Sequence, residues 1–233
     1  MALLGKLSLP AKPCQRGRMI SKIHTDLIIF DCDGVLVDSE PLSNTVMAEH
    51  MTRLGWSMNG AESMQSFKGS TMTQVHRAIE DHLGTDIDRA WLDAFRRELM
   101  DRMRVELRPI LGIKALIARV QAAGFKTCVA SQGRHEKMAV SLGATGLLDL
   151  FEGRIFSAVD VANPKPAPDL FLHAAAQMGA MADRCVVIED SMTGVQGALA
   201  AGMRVIGYDA EESGVLKREG VVMVSAMEEV TII

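Results

Sequence analysis

The stretch Asp26-Leu-Ile-Ile-Phe30, followed at once by Asp31-Cys-Asp33-Gly34, decides the fold. Its apolar run is short, continuous and β-prone, the pattern of a strand buried on both faces. Four further runs read alike, at 125–130, 154–158, 185–189 and 203–207. Helical patterns separate them. Ile113, Leu116, Ile117 and Val120 recur at helix spacing, and Gly124 stands where a C-terminal cap belongs. Pro168 opens another helix through Leu172 and Gln177, and Gly179 closes it. One more helix follows Ser191 and runs to Gly202, and another spans 133–142. Strands alternating with helices predict an α/β fold with a doubly wound parallel, Rossmann-like sheet.

One stretch breaks the alternation. Residues 41–108 carry helix periodicity and no convincing strand. Thr71 and Gln74 form a capping box, with Val75, Ile79 and Leu83 on one face and Gly84 as terminator. Ile87, Trp91, Phe95 and Leu99 continue with period four. The reading is an all-helical cap over 41–108, inserted into an α/β core made of 24–40 and 109–233. Residues 1–23 are basic, and Lys6 and Pro10 break their apolar stretch. They read as a disordered leader rather than a secretory signal.

Composition narrows the function. The chain has 233 residues, 48% hydrophobic and 23% charged, so it can bury a sizeable core and is not intrinsically disordered. A net charge of -4 supplies no field toward nucleic acid or anionic membrane, and aromatics at 4% argue against a base-stacking platform. No apolar run approaches the roughly 20 residues of a membrane span. The four cysteines are scattered, and three lie in apolar runs where a free thiol is a small hydrophobe. That usage fits a reducing, cytoplasmic setting. The 16 methionines read as core filler, and the six histidines as surface or internally satisfied groups rather than ligands.

Ligands of open α/β sheets bind beyond the carboxyl ends of the strands. There the sequence delivers Asp31 and Asp33 after the first strand, Ser131 after the second, Lys165 between two prolines beyond the third, and Glu189-Asp190-Ser191 at the fourth. On an extended segment, residues i and i+2 point to one side, so Asp31 and Asp33 are expected close together. Close carboxylates are costly unless a cation or a shared proton relieves them. Asp31, Asp33, Glu189 and Asp190 are therefore candidate ligands of a hard cation, and Mg²⁺ suits them. An aspartate can also act as a nucleophile toward phosphorus, with a neighbour handling protons. Ser131 is expected to cap the helix over 133–142 and to offer its hydroxyl to an anion. The bland alternative makes Asp31 a strand end, Asp33-Gly34 a turn and Asp190 a helix N-cap. No ATP-loop, dinucleotide or serine-hydrolase pattern occurs.

Taken in order, Asp31-Cys-Asp-Gly-Val-Leu-Val-Asp-Ser-Glu-Pro41, Ser131, Lys165-Pro-Ala-Pro168 and Glu189-Asp-Ser191 resemble the haloacid dehalogenase superfamily. The helical insert resembles the subfamily whose cap follows the first strand, with β-phosphoglucomutase and sugar-phosphate phosphatases. The resemblance implies Asp31 as nucleophile and Asp33 as general acid/base, with the Asp33 backbone carbonyl also reaching Mg²⁺. It implies Asp190 as a direct ligand with Glu189 in support, and Ser131 and Lys165 holding the phosphoryl group. Glu40, Lys68, Gln132, Ser131 and Lys165 are the expected substrate contacts.

Asp33 argues against true dehalogenase activity. The mutase pattern carries a histidine where this chain has Ser43, and an arginine after the cap Lys-Gly where it reads Ser70-Thr71-Met72. The segment from Ala130 to Arg134, with Ser141-Leu-Gly143 and Gly146-Leu-Leu148, looks like the sugar-acid and sugar-phosphate phosphatases, including 6-phosphogluconate phosphatase. The expectation is a Mg²⁺-dependent phosphatase of a small phosphorylated sugar, sugar acid or polyol, a monomer or weak homo-oligomer. Its rivals are a phosphomutase and a non-catalytic regulator that binds a phosphorylated metabolite.

Overall fold

The computed structural model describes residues 25–67 and 70–232. The leader expected over 1–23, and Lys68, lie outside the described residues. Six strands form one sheet: β1 (Leu27–Phe30), β2 (Lys126–Ser131), β3 (Ile155–Ser157), β4 (Cys185–Glu189), β5 (Arg204–Tyr208) and β6 (Val221–Val224). Their order is β3-β2-β1-β4-β5-β6, and every neighbouring pair is parallel. This is the doubly wound order, in which the chain winds outward from β1 in both directions. The direction reverses between β1 and β4.

The strand that opened the reading explains why the sheet is covered on both sides. All four residues of β1 are fully buried. Ile28 and Phe30 enter one core, with Ile113, Leu116, Ile117 and Val120 of helix α5 (Ile113–Ala122) and Met138 and Leu142 of helix α6 (His135–Thr145). Leu27 and Ile29 enter the opposite core, beneath α7 (Asp169–Gln177) and α8 (Met192–Ala200). A period of two with both phases apolar is what two covering helix layers require.

Between β1 and α5 run four helices, α1 (Glu40–Arg53), α2 (Gly60–Phe67), α3 (Met72–Leu83) and α4 (Ala90–Glu106). They enclose an apolar cluster of their own, with Val46, Met51, Val75, Ile79, Trp91 and Phe95. The Thr71–Gln74 capping box forms, and Gly84 ends α3 in the left-handed conformation. The end of α4 returns to the sheet, where Met103 and Leu107 join the core over Phe30. The described histidines are satisfied internally where they are buried: His50 meets Glu98 at 3.0 Å, and Nδ1 of His76 accepts from the Trp91 indole at 2.9 Å. Cys32, Cys128 and Cys185 are free, buried thiols. No helix among the described residues is long and apolar enough to cross a membrane.

Two expectations are corrected. The sheet has a sixth strand, Val221–Val224 at the β6 edge, which the alternation of apolar runs does not reveal because three of its four residues are only half-buried. The helix expected over 133–142 begins at His135 with Arg134 at its N-cap, so Ser131 does not cap it.

Candidate active site

The site gathers at the carboxyl ends of β1, β2 and β4, where the winding reverses. Asp31 follows β1 directly, and its backbone N–H donates to Ile188 O at 3.0 Å, which ties it to β4. Lys165 reaches in from the loop after β3. Its ammonium donates to Asp31 Oδ1 at 2.7 Å, to Glu189 Oε1 at 2.6 Å and to Ala130 O at 3.0 Å. It also lies 4.9 Å from the centroid of the Phe171 ring. The Lys165 side chain is 1% exposed, so the three acceptors and the ring replace the water it has lost. Burial opposes the ammonium, but Asp31 and Glu189 outweigh it and raise its pKa.

Glu189 is fully buried and anchored at both oxygens. Oε1 takes Lys165, and Oε2 accepts from the backbone N–H and hydroxyl of Ser191 at 2.8 Å each. Gly194 of α8 is glycine for a steric reason: a Cβ there would stand 1.7 Å from Glu189 Oε1. Ser191, not Asp190, caps α8, accepting from Gly194 N at 3.1 Å. Asp190 is thus released from the capping duty the bland reading gave it.

Asp31, Glu189 and Asp190 each offer a carboxylate oxygen within 4.8 Å of the other two. Burial first, and then the neighbouring carboxylates, push Asp190 up to about 8. Burial likewise pushes Asp31 up to about 7, against the pull of Lys165. Such shifts mark anions that lack enough positive charge. The donor set is oxygen only. Glu189 has both oxygens engaged, while Asp31 gives Lys165 a single oxygen. An all-oxygen set of carboxylates fits a hard cation such as Mg²⁺ better than a softer metal.

Gly34 makes the approach of Asp190 possible. It has φ +77°, and a Cβ there would lie 1.9 Å from Asp190 Oδ2. We expect Gly34→Ala to displace Asp190, to weaken divalent-cation binding about tenfold or more, and to cost about 1–2 kcal/mol for the left-handed backbone. A calorimetric Mg²⁺ titration that matched the parent protein would contradict this.

Asp33 lies close enough for its charge to push the Asp31 carboxyl up further, while the three grouped oxygens are those of Asp31, Glu189 and Asp190. Leu36 N and Val37 N both donate to Cys32 O, and Gly34 N donates to Val37 O, closing a tight loop around Asp33. Its oxygens instead accept from Ser39 Oγ at 2.6 Å and Lys137 Nζ at 2.7 Å. Burial works against the anion, yet Lys137 and Ser39 hold its carboxyl below the usual range. Periodicity and motif alone do not single out Lys137. The available signal was a lysine in the first turn of α6, where the helix dipole disfavours a cation.

Ser131 is buried at the end of β2 beside this group, and its Oγ accepts from Gly133 N at 3.1 Å. Gln132 is exposed, with its amide 3.5 Å from Lys165 O. Glu40 is exposed at the first residue of α1, after Ser39. Lys68 lies outside the described residues.

Comparison with known proteins agrees with this geometry. A family model described as haloacid dehalogenase-like hydrolase matches residues 28–208. The chain is 30% identical over 187 residues to the 6-phosphogluconate phosphatase of Escherichia coli K12, covering 80% of this chain and 83% of that protein. It is 31% identical over 181 residues to the fructose-1-phosphate phosphatase of the same organism, covering 77% and 94%. A crystal structure of a haloacid dehalogenase-like protein of unknown function from Agrobacterium tumefaciens C58 superposes with a TM-score of 0.75 at 34% identity, covering 88% of this chain and 95% of that one.

Proposed function

Because the chain belongs to the haloacid dehalogenase-like hydrolase family, we propose that it is a Mg²⁺-dependent phosphatase acting on a small phosphorylated sugar, sugar acid or polyol. The observation that carries the reading is Asp31, held by Lys165 at the reversal point of the sheet beside two further carboxylates. Relatives named as phosphatases of 6-phosphogluconate and fructose 1-phosphate support the substrate class.

In this mechanism an Asp31 oxygen attacks phosphorus, and the ester P–O bond breaks. Asp33 in its acid form gives a proton to the departing oxygen. Water then attacks the aspartyl-phosphate, Asp33 takes the water's proton, and inorganic phosphate leaves with Asp31 restored. Lys165 and the Ser131 hydroxyl hold the phosphoryl oxygens, so fixed charge and position supply most of the acceleration. Asp31 and Asp190 would hold Mg²⁺, with Glu189 in support and the Asp33 backbone carbonyl as a further ligand; the ion supplies neutralisation of phosphoryl charge. The four inserted helices act as a cap, with Glu40, Lys68 and Gln132 as substrate contacts.

The test is a panel of sugar, sugar-acid and polyol phosphates assayed for released phosphate with and without Mg²⁺. We expect release on several members and its loss with EDTA. Interconversion of sugar phosphates with little free phosphate would make the protein a mutase, and tight binding without turnover would make it a regulator. A pH effect accompanies metal binding. The raised carboxyls of Asp31 and Asp190 bind protons more tightly folded than unfolded, so metal-free stability falls as pH rises from about 4 toward 8. Protons and Mg²⁺ compete for these groups, so Mg²⁺ should raise the melting temperature more at pH 8 than at pH 5.5.

A further inference from the structure

We propose that Lys137 is a positioning residue for Asp33: with Ser39 it clamps the Asp33 carboxylate by both oxygens and holds it aimed to accept a proton from the attacking water. This rests on the roles given above to Asp31 and Asp33.

Each donor takes one oxygen, Lys137 Nζ at Oδ2 and Ser39 Oγ at Oδ1, 2.7 and 2.6 Å away. One donor would leave the carboxylate to rotate about a soft terminal torsion; two donors on opposite oxygens fix its plane. They come from distant parts of the chain. Ser39 stands where the chain enters the helical insert, and Lys137 is the third residue of α6 in the α/β core. Helix stability does not account for a lysine there, since the positive end of α6 repels it. Burial does not account for it either, because 31% of the side chain is exposed. The Asp33 contact does.

Aim matters most in one half-reaction. When water attacks the aspartyl-phosphate, its oxygen bonds to phosphorus, its proton passes to the Asp33 carboxylate, and the bond between phosphorus and Asp31 oxygen breaks. Lys137 transfers nothing; it holds the accepting carboxylate in place. With an aryl ester whose phenolate leaves without a proton, its loss should slow the second half-reaction and spare the first.

The experiment is rapid-quench kinetics of the full chain with Mg²⁺ and p-nitrophenyl phosphate, following p-nitrophenol and protein-bound, hydroxylamine-sensitive phosphate. For Lys137→Met we expect the first turnover to stay within about threefold, steady-state turnover to fall about tenfold or more, and protein-bound phosphate to accumulate. Lys137→Arg should recover most of the steady-state rate. Equal losses in both phases, a steady-state rate within twofold of the parent, or no recovery by arginine in a protein of unchanged melting temperature would each overturn the proposal. If the unmodified protein stays active after Asp31→Asn, the assignment of Asp31 fails, and the proposal with it. That result is recognisable without any Lys137 variant.

Discussion

Asp31→Asn is expected to lower phosphate release by about 10⁴-fold or more while leaving the metal-free protein as stable as before, or more so. The loss of rate follows from chemistry. An amide of the same shape has no anionic oxygen with which to attack phosphorus, and removing a nucleophile typically costs at least this much. The stability forecast follows from the surroundings. Burial, together with Glu189 and Asp33, already disfavours the Asp31 anion, as its pKa of about 7 records. Replacing it relieves repulsion among three crowded carboxylates, two of them buried. Lys165 keeps its 2.6 Å contact with Glu189 and its contact with Ala130 O, so no charge is left unpaired. Stability that rises as activity vanishes is the mark of a group retained for chemistry against its own folding cost. Thermal melts at pH 8 without Mg²⁺, beside phosphate-release assays with it, measure both effects. A melting temperature well below that of the parent would mean Asp31 is structural. Surviving activity would remove it from the mechanism.

Much of this was legible in the sequence, and the reasons are local. Asp31, Ser131 and Glu189-Asp190 lie at the ends of apolar runs, and a parallel sheet must bring such ends to one edge. Lys165 was readable as a lone cation fixed between prolines. The capping box at Thr71 was readable because its partners are three residues apart. What escaped depends on contacts between distant residues. Lys137 meets Asp33 across 104 positions, a contact that no local pattern reveals. Ser131 was mistaken for a helix cap because the residues between strand and helix, Gln132 to Arg134, could be placed in either by pattern. Edge strand β6 escaped because it lies at the sheet edge with three of its four residues only half-buried, so burial imposes no clear pattern on it.

The expected result with the largest effect on stability is Lys165→Met. Methionine keeps much of the apolar stem of the side chain and its packing near Phe171, but removes the cation. Asp31 and Glu189 are then left as buried carboxylates without their shared partner. Removing one member of such a buried group costs about 3–5 kcal/mol, because the remaining charge keeps its desolvation penalty and loses its compensation. In a protein of this size that lowers the melting temperature by on the order of 10 °C. The sign of the pH dependence is fixed. Lys165 depresses the Asp31 carboxyl, so its removal raises the folded-state pKa further. A carboxyl whose folded pKa is raised binds protons more tightly folded than unfolded, and its contribution to stability falls as pH rises. The gap to the parent protein should therefore be small near pH 5, where a proton can replace the ammonium, and widest at pH 8. Mg²⁺ should narrow the gap at pH 8, since a divalent ion among the same oxygens supplies part of the missing charge. Activity should not return with stability. Without a fixed cation on the phosphoryl oxygens, turnover in saturating Mg²⁺ should remain about 10²–10³-fold low. Equal melting temperatures at pH 8 in EDTA would show that Lys165 is not the charge that holds these carboxylates together, whatever its distance from them.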